Sequence, residues 1–172
     1  MQNHLKFVTI TLLFLSASPE AAMQDSVLSV HAECKDNAQC IFANQSMLID
    51  LTITNVSKNP VGVPIEFLDQ KGPHCVLIDN ETREEFQTNP PPPPDLSLKN
   101  KFTEIPAGGS IKIEQLVSRG AISAFRERMI DLTARFFIVV PVKLIDKEAP
   151  INQNVSTSIR IHGRDKAELD KK

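Results

Sequence analysis

The chain has 172 residues, 41% of them hydrophobic, which is enough for one packed core and too few for two. Its 19 Lys and Arg against 21 Asp and Glu leave a formal charge of -2, scattered without a basic stripe, so nucleic acid is not expected as a partner. Trp and Tyr are absent, which leaves Phe and Arg as the anchors of any binding surface.

Residues 1–22 read as a secretory signal. His4 and Lys6 precede an apolar run over 7–15, shorter than the ~20 residues a membrane-spanning helix needs, and small residues follow at Ser16, Ala17, Ser18, Ala21 and Ala22. Cleavage is expected after Ala21 or Ala22. The organisation that follows is a signal over 1–22, one β-sandwich domain over 23–163, and a charged tail over 164–172. No later segment is apolar for long enough to span a bilayer, so the mature form is expected in a periplasm or outside the cell, without a membrane span.

The pattern from residue 26 onward is that of strands. Residues 26–33 alternate, with Leu28, Val30 and Ala32 on one side. Cys34 and Cys40 bracket a turn-rich loop, and in an oxidising compartment a bridge between them is expected. Ile49, Leu51 and Ile53 then alternate with Asp50, Thr52 and Thr54 in a half-buried strand. The polar turn 55–60 follows, and a second apolar segment over 61–67 is expected as its neighbour strand. After a turn cluster at 69–73 come a short strand over 74–79, a turn at 80–82 and a weakly alternating segment over 83–88.

Asn89 and the run Pro90, Pro91, Pro92, Pro93 and Pro94 cannot form a central strand, because proline has no N–H to give a ladder. An extended polyproline segment at the surface is expected. Beyond it, 102–106 leads to the turn 107–110, where glycine accepts positive φ without a steric penalty. Ile111 and Ile113 open another alternating strand that reaches Val117. Over 118–129 the period changes, with Ile122, Phe125 and Met129 at helical spacing, which predicts one short amphipathic helix capping the sandwich. Residues 131–145 carry the longest strand signal: Leu132, Ala134, Phe136, Ile138 and Val140 on one face, with Phe137 and Val139 making both faces apolar, as in a central strand. Pro141 implies a bulge or an edge. A polar connection over 146–154 leads to a last strand through Val155, Thr157, Ile159 and Ile161. The fold class is therefore all-β, an antiparallel β-sandwich with one short helix.

Asn55-Val56-Ser57 with Pro60, then Leu98, the turn from Ile105 through Pro106, Gly108 and Gly109 to Ser110, and the long strand over 132–142 carry a resemblance. Together they resemble the immunoglobulin-like domain that precedes the catalytic domain in secreted zinc endopeptidases of the deuterolysin and peptidyl-Lys type. The resemblance spans about 47–142. It departs where such domains enter the late strand through a Gly-x-Tyr step, since this chain has Met129-Ile130-Asp131-Leu132. A zinc peptidase of that type also needs two His one helical turn apart beside a Glu, which His4, His31, His74 and His162 do not supply. The resemblance thus implies the accessory module without the enzyme.

Candidate chemistry is sparse. His31, Cys34 and Cys40 offer three metal ligands without the paired spacing or fourth ligand of a structural site, so neither a metal nor a cofactor is expected. Cys75 is left over, as a buried thiol, as a thiol that pairs with another chain, or as a nucleophile; His74 beside it points to the opposite face of a strand and cannot serve as its base. Glu81, Glu84 and Glu85 form a carboxylate rim. Asn44, Asn55, Asn80 and Asn154 each begin an N-glycosylation acceptor pattern. The function expected is an exported, non-enzymatic binding module that engages a protein partner through the loop 89–94, inhibition of a protease or toxin being one form of such engagement. The alternatives are an accessory or folding module for a separately encoded exported enzyme, and a thiol enzyme using Cys75.

Overall fold

The computed structural model describes residues 26–89, 91–125 and 130–163. The expected signal over 1–22, the tail over 164–172, Pro90 and Met129 lie outside the described residues.

In chain order the strands are β1 (Leu28–Cys34), β2 (Ile41–Phe42), β3 (Met47–Asn55), β4 (Val61–Val63), β5 (His74–Asp79), β6 (Glu85–Gln87), β7 (Thr103–Ile105), β8 (Ser110–Val117), β9 (Asp131–Leu144) and β10 (Ile151–Gly163). They form two open sheets in a mostly β protein. One is antiparallel, in the order β1-β3-β8. The other is mixed: β9 and β10 pair antiparallel, and β2 lies parallel to β10 through His162–Ile41 and Gly163–Phe42. The free edge of β9 is shared, its first half with β5 and its end with β4; β6 extends the sheet beyond β5, and β7 beyond β4.

Alternation builds the core. Ile49, Leu51 and Ile53 on β3 and Leu132, Ala134, Phe136 and Val140 on β9 are each 0% exposed. Burying a large aliphatic or aromatic side chain is worth ~1.5–3 kcal/mol, so these two strands contribute much of the hydrophobic stabilisation. The sheets are also joined at one side by a polar clasp. The side-chain oxygen of buried Gln153 on β10 accepts from the N–H groups of Val27 and Leu28 at 3.1 and 3.2 Å. Two backbone donors at the start of β1 thereby find a partner away from bulk water.

Several expectations are corrected. The strand expected over 61–67 stops at Val63, and helix α1 (Ile65–Lys71) follows, burying Phe67 and Leu68. A run of seven is too short to separate a period of 2 from one of 3.6, and Pro64 cannot continue the ladder. Most of the cluster at 69–73 is therefore the last turn of α1, which Gly72 ends at φ 61° with its N–H on the Leu68 carbonyl. The turn 55–60 does not join neighbours within a sheet: β3 and β4 belong to different sheets. The helix expected over 118–129 is described only as α2 (Arg119–Ser123), capped by Ser118, whose Oγ accepts from the Ala121 N–H at 3.2 Å. A 3-10 helix, Leu96–Asn100, was not foreseen. Thus helical segments exceed the one expected.

Two further differences concern the second sheet. β10 begins at Ile151, inside the expected polar connection, and pairs with Val142 there. Pro141 makes no bulge against β10, because the register runs unbroken through Asn152–Pro141. It instead sits where β9 has passed the end of β5 at Phe137 and not yet reached β4 at Lys143. The Val139 carbonyl, two residues before it, faces that gap and accepts from Lys71 Nζ at 3.4 Å, so the missing N–H of Pro141 falls where no strand asks for it. Although β9 is central, its outer face is open: Phe137 and Val139 are 42% and 41% exposed.

Candidate loop and edge cleft

The proline loop lies at the surface, as its composition dictates. Asn89, Pro91, Pro92 and Pro93 are exposed and Pro94 is half-buried. It is fastened at both ends. Before it, the N–H and the hydroxyl of Thr88 both donate to the Cys75 carbonyl at 3.1 Å. After it, the Asp95 N–H donates to the Gln70 side-chain oxygen of α1 at 2.9 Å, and Asp95 caps the following 3-10 helix by accepting from the Ser97 N–H at 2.9 Å. That bond to Ser97 holds the Asp95 carboxyl below its ordinary value. Midway, Pro91 packs beside Gly72, where an added Cβ would stand 3.2 Å from its ring. Prolines with fixed φ, held at three points, lose little entropy on docking.

Beside the start of the loop is a cleft of about 380 Å³, lined by Phe86, Thr88, Asn89, Leu116, Ser118, Gly120 and Ala121. It lies between β6 and β8, edge strands of the two sheets. Phe86 and Leu116 are 39% and 54% exposed, and Phe86 meets Phe125 edge-on at 6.4 Å between centroids. Neither anchor was singled out from the sequence. The signal for Leu116 was present: two apolar neighbours, Leu116 and Val117, break an otherwise alternating strand, so one of them must face water. Phe86 lay in the weakly alternating segment 83–88 and had no such mark.

The other candidates fall differently. Cys34 and Cys40 are bridged, with Cα atoms 5.5 Å apart, and the loop they close carries the chain from the first sheet to the second. Their sulfurs are thereby removed from any ligand set with His31. Cys75 is free and 1% exposed, and burial pushes its thiol up to about 11, the opposite of what a nucleophile needs. His74 is exposed on the other face of β5, as alternation requires. Glu81, Glu84 and Glu85 are all exposed. Among the described residues no group of three His, Cys, Asp or Glu is placed to hold a metal, and no helix is long and apolar enough to cross a membrane.

The four acceptor asparagines separate by role. Asn55 is 0% exposed; its amide donates to the carbonyls of Asn59, Ile105 and Pro106 at 2.9, 3.0 and 3.1 Å, and its oxygen accepts from the N–H and hydroxyl of Ser57. It fastens the crossing between sheets to the turn before β8. Asn80 donates to Asp131 at 2.8 Å and accepts from Thr133 at 2.7 Å. Asn44 and Asn154 are exposed.

No family model matches the chain, and no curated protein matches it. Among solved structures it is similar to an X-ray structure from the Northeast Structural Genomics Consortium, target SoR45, at 11% identity and a TM-score of 0.36, covering 78% of this chain and 86% of that one.

Proposed function

We propose that this chain is an exported, non-catalytic binding module of immunoglobulin-like kind that holds a protein partner at the proline loop and the cleft beside it. One observation carries the reading: a loop of exposed prolines, fastened at both ends, stands next to a cleft in which Phe86 and Leu116 keep 39% and 54% of their surface exposed and so are available as anchors. The Cys34–Cys40 bridge supports an oxidising compartment. The buried, proton-retaining thiol of Cys75 speaks against a thiol enzyme. Blocking a protease or toxin is the form of binding that a stiff, pre-shaped loop serves best, because little is lost in ordering it.

The test is capture from the exported fraction of producing cells with the intact protein and with a variant in which the segment from Pro91 to Pro94 is replaced by Gly and Ser. A partner held by the intact protein and lost by the variant supports the proposal. An unchanged set of captured proteins overturns the assignment to the loop.

A further inference from the structure

The outer face of β9 and its neighbours forms a second surface, separate from the proline loop. In the register, Arg135 lies between Ser158 of β10 and Val76 of β5, Phe137 between Ser156 and His74, and Val139 beside Asn154. Residues two apart on a strand are ~6.8 Å apart along it, so Arg135, Phe137 and Val139 form a strip about 14 Å long. Phe137 and Val139 are 42% and 41% exposed, and the His74 ring stands 6.1 Å from that of Phe137. Between Phe137, Val139, Asn154 and Ser156 is a depression of about 160 Å³. An apolar cavity of ~150 Å³ takes a single benzene ring, so this one accepts one bulky side chain.

The charges beside the apolar part of the strip are positive, while the acids of the same face, Asp131 and Glu85, lie toward its other end, at the start of β9 and in the row of Thr133. Arg135 has no carboxylate partner among the described residues. Lys71 comes in from the side, its ammonium on the Val139 carbonyl at 3.4 Å. The residues opposite Arg135, Phe137, Val139 and Pro141 on β5 and β10 include no Asp or Glu. The nearest acid on β9 is Asp131, already held by Nε and Nη2 of Arg160, each at 2.7 Å, and by Asn80. The opposite face of the sandwich contrasts with this: Glu33, Asp50 and Glu114 form a carboxylate row there, bonded to Lys35 and Lys112.

We propose that this strip docks an acidic protein segment, one that seats a single bulky apolar side chain in the depression beside Phe137 and presents a carboxylate to Arg135. A membrane surface is the poorer fit, because two apolar side chains, Phe137 and Val139, with Arg135 and Lys71 bury too little area and carry too little charge to hold a bilayer. The carboxylate is matched by a fork of guanidinium donors that no carboxylate among the described residues claims.

The test is to pan a displayed library of short random peptides on the purified protein, and to measure binding of the enriched sequences by fluorescence anisotropy. Enrichment of peptides with Leu, Phe or Met beside Asp or Glu is expected. Their affinity should fall about tenfold or more with Arg135→Glu, which reverses a close charge pair. Asn154→Trp, which fills the depression from an exposed position, should weaken them similarly, and added salt should weaken them further. Replacing the prolines of the loop should leave this binding unchanged, which separates it from the loop reading. Three results would each overturn the proposal: no enrichment of acidic-apolar sequences, equal binding by the Arg135→Glu and Asn154→Trp proteins, or adsorption to anionic phospholipid vesicles in preference to every peptide.

Discussion

Asn55 offers the sharpest test of how the two sheets are held together. The two N–H groups of its amide are shared among the carbonyls of Asn59, Ile105 and Pro106, and its oxygen accepts from the N–H and hydroxyl of Ser57, in a site with 0% exposure. Asn55→Ala removes every one of these bonds. The Ile105 carbonyl is stranded in the interior at a cost of ~1–3 kcal/mol, while the others regain water in part and cost less, giving a total of about 3 kcal/mol. With a urea slope near ~1.5 kcal/mol/M, that loss moves the unfolding midpoint down by about 2 M at unchanged slope. Asn55→Asp sharpens the point, because a carboxylate oxygen then stands where the amide donated, against three carbonyl oxygens at 2.9–3.1 Å. It should be more damaging than Asn55→Ala despite its closer shape. Midpoint shifts by circular dichroism decide the matter. A loss under ~1 kcal/mol for the alanine variant, or a milder aspartate variant, would refute the bonding scheme and with it the role of Asn55 in fastening the crossing.

Other outcomes follow from the same structure. The Asp131 carboxyl is pulled down to about 2, chiefly by Arg160 and then by Asn80. A depressed carboxyl stabilises the fold above its unfolded value of ~3.9 and loses that contribution as pH falls through the folded value, so the midpoints of the parent and of Asp131→Asn should converge between about pH 4 and pH 2. A gap that stays constant down to pH 2 would contradict this. Replacing Cys34 and Cys40 together by Ser should cost roughly 2 kcal/mol on the chain-entropy model, read as a lower urea midpoint for the double variant than for the oxidised parent. Cys75, 1% exposed and with its proton retained up to about 11, should resist a thiol reagent at neutral pH until denaturant is added. Labelling of the native protein as fast as that of the unfolded chain would return Cys75 to consideration as a nucleophile.

The sequence carried those elements whose pattern survives in isolation. The alternation through Ile49, Leu51 and Ile53 and through Leu132 to Val140 is long enough to declare a face, and those side chains form the core. The spacing of Cys34 and Cys40 declared the bridge. Residues 61–67 were not legible, because whether Val63 is followed by strand or helix depends on β9 offering a partner only to Val61 and Gly62. The exposure of Phe137 and Val139 was equally hidden: an apolar outer face looks the same in one dimension whether another layer covers it or not. Asn55 announced a turn, while its bonds to Ile105 and Pro106 reach residues some fifty positions away. Proline exposure at 91–93 needed only the chemistry of proline. The cleft beside it depended on two sheets bringing Phe86 and Leu116 to one edge.

The most direct measurement of partner binding is site-specific photo-crosslinking in producing cells. A photoreactive phenylalanine is placed in turn at Asn89, at Leu116 and, as a control on the Asn55–Pro60 crossing, at Val56, which is 54% exposed like Leu116. A discrete adduct to the same protein from Asn89 and Leu116, and none from Val56, is the predicted result. No adduct from the two cleft positions, or the same adduct from all three, would contradict the assignment of a partner to the proline loop and its cleft.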